Sequence, residues 1–217
     1  MTDGTTTPVF DYRLQRFTMG LVAFLLPVVV TAVADQRLTS ISASWYTSAR
    51  DWFVGLLFAV ATFLLAYRGH TRFQGWASKG AALAAALVAL FPAACDGCET
   101  TWRNYVHYTA AAVLFLVLSL FCFVIFRKNT RGRPGKPGWR ARIYLACGVL
   151  MLACLAGIPL GHLLLPVQTV AELRLTYWGE ASALWAFGLA WIVSGKVLPF
   201  LAEPGERLHI WPSQSEG

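Results

Sequence analysis

The chain has 217 residues, 57% hydrophobic and 13% charged, with a formal net charge of +7 and a mean hydropathy of +0.54. A water-soluble domain carries about a quarter charged residues, so these proportions exclude an ordinary soluble fold, and the aqueous segments are too short for a separate soluble domain. The basic surplus does not indicate nucleic acid, because the Lys and Arg gather where the topology of a membrane protein needs them.

A bilayer core about 30 Å thick takes roughly 20 apolar residues per helix, fewer where flanking cations snorkel to the interface. The first apolar run, 17–34, follows Arg13 and Arg16 and stops before Asp35. It closes on Ala32-Val33-Ala34, which also reads as a signal-peptide cleavage site. Its 18 uncharged residues are long for a signal segment, so a retained membrane helix is expected. The runs 52–67 and 80–94 are shorter, with Arg68 and Lys79 as snorkelling ends. Gly80, Ala81, Ala82, Ala84, Ala85 and Ala86 give the third run a small-residue face, which predicts an interior helix. Three further runs follow at 106–126, 143–166 and 181–200, the last using Lys196 as its snorkelling end. None alternates with period 2, so each reads as a helix and not as a barrel strand.

Orientation follows from charge. With the N-terminus cytoplasmic, fourteen of the eighteen Lys and Arg fall on the cytoplasmic side, leaving Arg37, Arg50, Arg103 and Arg174 outside. The expected fold is therefore all-α integral membrane, a single six-transmembrane-helix bundle over 1–217 with both termini cytoplasmic in the cell membrane. The basic loop 127–142 contains a Gly- and Pro-rich stretch, 129–138, that reads as a mobile linker. Its cations fix topology, and they would also draw anionic lipid to the surface.

The less common polar residues sort to one side. Asp51 opens the second helix after Arg50, Ser42, Ser44 and Tyr46; His107 opens the fourth, His162 ends the fifth and Glu180 opens the sixth. Ionisable groups at the membrane boundary are candidates for function. Asp51, His107, His162 and Glu180 could together hold a divalent metal such as zinc, although no His-x-x-x-His spacing accompanies them. The plainer account is a hydrogen-bonded cluster closing the helix ends, with Asp51 and Glu180 favoured there by the helix macrodipole and Arg50 pairing with a carboxylate. Cys95 and Cys98 form a C-x-x-C in a loop on the outer side, where a local disulfide is expected ahead of free thiols or redox chemistry. Cys122, Cys147 and Cys154 lie in apolar runs and read as packing residues. Trp45, Tyr46, Trp52, Trp102, Tyr105, Tyr108, Tyr177 and Trp178 form an interfacial aromatic belt on the same side.

The segment Ser40-Ile41-Ser42-Ala43-Ser44 with Ala49-Arg50-Asp51-Trp52-Phe53-Val54-Gly55 resembles the entrance to the second helix in the Frag/DRAM/Sfk family of six-helix membrane proteins. Val106-His107, and Glu180 ahead of Trp185-Ala186-Phe187-Gly188, resemble that family's pattern too, as they do a related group of bacterial six-helix membrane proteins. The resemblance implies the same six-helix plan and a role in membrane-lipid homeostasis, including GPI-anchor lipid remodelling and control of phosphoinositides or lipid asymmetry. It carries Ser42, Asp51, His107 and Glu180 as the matching positions.

The leading functional expectation is a protein that binds or senses membrane lipid through Ser42, Ser44, Tyr46, Arg50, Asp51, His107 and Glu180. The alternative is an integral-membrane hydrolase acting on a lipid amide or ester through Asp51, His107, His162 and Glu180, with or without metal. A channel or transporter subunit ranks third, since no helix carries a mid-membrane charge and inverted repeats are not evident. Homo-oligomerisation is compatible with each.

Overall fold

The computed structural model describes residues 12–69, 71–95, 98–128 and 130–202. Asp96 and Gly97 of the cysteine loop, Asn129 of the basic linker and Arg207 of the charge count lie outside the described residues. Among the described residues all regular structure is helical: α1 (Tyr12–Val33), α2 (Arg50–Ala66), α3 (Arg72–Leu90), α4 (Trp102–Leu120), α5 (Lys136–Leu164), the short α6 (Val167–Glu172) and α7 (Leu175–Ser194). A 3-10 turn at Ser42–Tyr46 leads into α2, and α4 continues as a π-helical segment, Phe121–Phe126. Among the described residues three helices are long and apolar enough to cross a membrane: α1, α4 with its π extension, and α5.

Every long helix starts before its apolar run, because hydrogen bonding and capping begin a helix while hydropathy marks only its greasy middle. The largest difference is α3, which begins at Arg72 and not at residue 80. Thr71 caps it by accepting from the Gln74 N–H, so Lys79 sits on the helix surface over the Trp76 ring and does not end the helix. Thr101 and Asn104 form a capping box ahead of α4. Pro137 occupies the first turn of α5, where its missing N–H costs nothing. Residues from Lys136 onward are thus helical, and the 127–142 loop is about half the length read from its charges. Pro92 follows the end of α3 at Leu90, as the backbone restriction ahead of proline favours.

The six long helices close a ring in chain order: α1 packs on α2, α2 on α3, α3 on α4, α4 on α5, α5 on α7, and α7 back on α1. The closing seam is glycine-lined. A Cβ on Gly20 would lie 2.6 Å from the Gly188 carbonyl, and one on Gly188 would lie 2.7 Å from the Gly20 carbonyl. The small-residue face of α3 is buried at Ala81, Ala82, Ala84 and Ala85, but Gly80 is exposed. Phe73, Trp76, Leu83 and Leu90 also point outward, so α3 is one stave of the ring and not an interior helix.

The ring has two unlike ends. Near Arg16 and Ser194 an aromatic cluster packs inside it, with the Trp191 ring 5.2 Å from Phe121 and 4.7 Å from Phe126. There α4 and α5 pack tightly, since a Cβ on Gly148 would meet the Phe123 ring at 2.7 Å. At the other end lies the 3-10 turn, whose first residue, Ser42, and the preceding Ile41 are buried.

Candidate functional site

Ser42 is held from both sides. The loop carrying it is pinned by Arg174, which donates to the Leu38 carbonyl at 2.6 Å and whose guanidinium lies 3.9 Å from the Tyr177 ring centre. Ser40 Oγ accepts from the Ala43 N–H at 2.9 Å, and Ser44 Oγ donates to the Ile41 carbonyl at 2.6 Å, tightening the 3-10 turn. The turn presents the Ser42 backbone N–H to Glu180 Oε2 at 2.9 Å and the Ser42 hydroxyl to Oε1 at 3.1 Å. On the other side Ser42 Oγ lies 3.1 Å from His107 Nε2. His107 Nδ1 lies 2.7 Å from the Phe91 carbonyl. Ser42 and His107 are 7% and 2% exposed, and Glu180 is half-buried against a cavity.

The geometry counts protons. The Phe91 carbonyl only accepts, so His107 Nδ1 carries a hydrogen. Ser42 has one hydroxyl hydrogen and two side-chain partners, so one of those partners must supply a second. Either His107 is an imidazolium donating through Nε2 while Ser42 donates to a Glu180 carboxylate, or a protonated Glu180 donates to Ser42 while Ser42 donates to neutral His107. Both arrangements carry no net charge, and they interconvert by moving two protons through the Ser42 oxygen. With one proton fewer, two lone pairs would face each other at one of the 3.1 Å contacts. A satisfied buried network of this kind is stiff and specific.

These residues border a cavity of about 700 Å³ in the middle of the ring. All six long helices contribute: Leu26 from α1, Leu57 from α2, Val88 from α3, and longer stripes from α4, α5 and α7. The stripes follow helical spacing. On α4 they include His107, Ala111 and Phe115; on α5, Leu155, Ile158 and His162; on α7, Thr176, Glu180 and Leu184. The wall is mainly apolar, and no Lys or Arg lines it. Its exposed lining residues, Tyr108 on α4 and Pro159 and His162 on α5, put the mouth between those two helices. His162 pairs there with Thr176 at 2.8 Å.

The predicted site residues therefore divide. Ser42, His107 and Glu180 are bonded together, and His162 joins the same cavity through Thr176, a partner the sequence did not single out. Asp51 is an exposed first-turn residue of α2 and is not part of the cavity wall. Among the described residues no group of three or more His, Cys, Asp or Glu is placed to hold a metal ion. The zinc set Asp51, His107, His162 and Glu180 accordingly does not converge. Ser44 is buried and serves the turn. Tyr46 donates to the Ala93 carbonyl at 2.7 Å, and desolvation foremost, with Tyr108 beside it and Arg103 opposing, pushes its phenol pKa up. Arg50 stacks 4.2 Å from the Trp45 ring centre, and no ion pair to a carboxylate holds it among the described residues. Cys95 and Cys98 are joined by a disulfide with Cα atoms 5.3 Å apart, and Cys122, Cys147 and Cys154 are free. Cys154 is only half-buried and lines the cavity. Of the aromatic belt, Tyr46, Trp52, Trp102, Tyr105, Tyr108 and Trp178 are exposed, whereas Tyr177 is buried and bonded to Thr31 at 2.9 Å.

No family model matches the chain, and neither a curated protein nor a solved structure matches it significantly.

Proposed function

We propose that the chain is a six-span integral membrane protein, with both termini cytoplasmic, whose central cavity binds a membrane amphiphile with an uncharged, hydroxyl- or amide-bearing head. The single observation that carries this is the cavity of about 700 Å³, apolar along its wall and bordered at the Ser42 end by the Ser42–His107–Glu180 cluster. That volume lies within the usual range of ligand sites, about 300–1,000 Å³. The ligand's apolar part lies along the α4, α5 and α7 stripes, and its head exchanges hydrogen bonds with the cluster or with His162 and Thr176. A phosphate head is disfavoured because Glu180 borders the cavity and no Lys or Arg does. The mouth between α4 and α5 faces sideways, which suits a ligand arriving from the bilayer.

The membrane reading draws on the outer surface. Leu21, Phe24, Phe58, Leu83, Leu116 and Val149 are exposed around the ring, and an apolar surface of this extent needs lipid or a partner to cover it. The charge count supplies the orientation, with the Ser42 end extracytoplasmic. The disulfide at that end agrees with an oxidising compartment.

The cluster also favours a second reading, a serine-dependent hydrolase of a lipid ester or amide. His107 is oriented by a carbonyl on one nitrogen and faces Ser42 Oγ at 3.1 Å with the other, as a base and nucleophile would be. Glu180 weighs against it. In one neutral arrangement Glu180 donates into the serine oxygen that would attack, and in the other His107 already holds the proton it would have to accept. Activation requires the cluster to lose a proton. Binding is the better-supported function.

The test is lipid analysis of the full chain purified in a neutral detergent. A lipid of the stated class is expected to be retained above its bulk abundance, and to be lost in Ala111→Trp, which fills the cavity. An unenriched lipid profile, or one unchanged by Ala111→Trp, would sink the binding reading. Covalent labelling of Ser42 by a fluorophosphonate probe would promote the hydrolase reading in its place.

A further inference from the structure

The end of the ring away from Ser42 holds a second cavity, of about 380 Å³, with the opposite chemistry. Five cationic residues line it: Arg16 from α1, Lys128 and Arg133 from the connection after the π segment, Arg140 from α5, and Lys196 just beyond α7. Among the described residues no carboxylate lines it. Of the other polar side chains of its wall, Thr130 and Ser194 spend their hydroxyl hydrogens on backbone carbonyls, whereas the Tyr67 hydroxyl accepts from Arg16 and keeps its own hydrogen to donate.

Like charges drawn from separate elements into one concavity repel, and an anion between them reverses the sign of that energy. The fold holds them there. Arg16 donates to the Tyr67 hydroxyl at 3.4 Å and to the Ser194 carbonyl at 3.5 Å. Lys196 sits at a φ of +57°, a conformation that side-chain-bearing residues rarely adopt. Ile125 and Phe126 reach the wall from the π segment, and such segments recur at functional sites. Topology alone accounts for basic residues on the surface, as with Arg131 and Arg142, which do not line the cleft but border a neighbouring shallow depression that shares Arg133 with it. Arg140 is instead buried in the cleft wall, 2% exposed.

We infer that this cleft is a phosphate site, taking a phosphate group with more than one negative charge, either the head of a phosphomonoester lipid or a free inorganic phosphate. Arginine forks and lysine ammonium groups bind such oxygens by charge-assisted hydrogen bonds. The site is separate from the central cavity and does not rest on the amphiphile proposed there.

The test uses the full chain and two probes. Pyrophosphate binding is followed by calorimetry in a neutral detergent. Phosphatidic acid retention is followed by native mass spectrometry from phosphatidylcholine nanodiscs doped with it. Saturable binding of at least one probe is expected, weakened roughly tenfold or more in Lys128→Gln/Arg133→Gln. The control Arg131→Gln/Arg142→Gln removes the same charge outside the cleft and is expected to bind as the parent does. All four residues are exposed, so both variants should melt with the parent. Pyrophosphate alone would identify a soluble ligand, phosphatidic acid alone a lipid head, and either supports the site. No binding of either probe, or equal affinity in the two double variants, overturns it.

Discussion

Ser42 has one hydroxyl hydrogen for two side-chain partners, and the variant that tests this accounting is at Glu180. In Glu180→Gln the amide carbonyl can accept from the Ser42 N–H while the amide nitrogen donates to Ser42 Oγ, so the network closes with neutral His107. Glu180→Ala leaves the Ser42 N–H without its acceptor, at a cost of about 1–3 kcal/mol. Thermal melts in detergent should place Glu180→Gln close to the parent and Glu180→Ala well below it. If both fall equally, the cluster depends on a carboxylate–imidazolium pair. Part of this was legible in the sequence. Ser42, His107 and Glu180 stood out as polar residues at helix ends and as matches to a family pattern. Phe91 and Thr176 did not, because a backbone carbonyl and a helical threonine carry no sequence signal for the partner they meet. Asp51 drew the same notice as Glu180, yet one faces water and the other a cavity. Which face of a helix turns inward depends on its neighbours, and a lone carboxylate in a first turn does not reveal it.

At the scale of elements, hydropathy located all six long helices but misplaced their starts, by eight residues at α3, where 80 was expected and Arg72 begins. The missing turns are polar ones whose helicity comes from caps at Thr71 and Thr101 and from Pro137. Small residues were visible along α3, while two helix backbones come closest at Gly20 and Gly188, each flanked by larger residues. Gly188→Ala would set its Cβ 2.7 Å from the Gly20 carbonyl and 2.8 Å from backbone and side-chain atoms of Phe24. Backbone cannot yield cheaply, so the substitution should destabilise by about 1–3 kcal/mol. Gly55→Ala meets nothing within 4 Å and should be neutral or slightly stabilising through helix propensity. Equal melting temperatures for the two variants would mean that the α1–α7 seam is looser than these distances require.

For the whole molecule, the asymmetry of charge and the asymmetry of cavities share one axis. The orientation proposed from the basic residues makes a direct prediction. Single cysteines introduced at Ser48 and Thr100 into a chain lacking its native cysteines should react with an impermeant maleimide added to intact cells. One at Gly132 should react only after lysis. Labelling of Gly132 from outside would invert the orientation. The sequence carried the axis, because Lys and Arg count wherever they lie, but it could not show that five of its cations meet in one cleft. The ring is closed by contacts between α1 and α7, and this bears on biogenesis. During synthesis the earlier helices emerge first, so the groove beside α1 stays open until α7 arrives. Glu180 comes with that helix and meets Ser42 and His107, already made, only then. The central cavity is complete only once α7 has joined the ring. A chain stalled before α7 offers a quality-control protease an open groove and a Ser42 N–H without its Glu180 acceptor, both absent once the ring has closed.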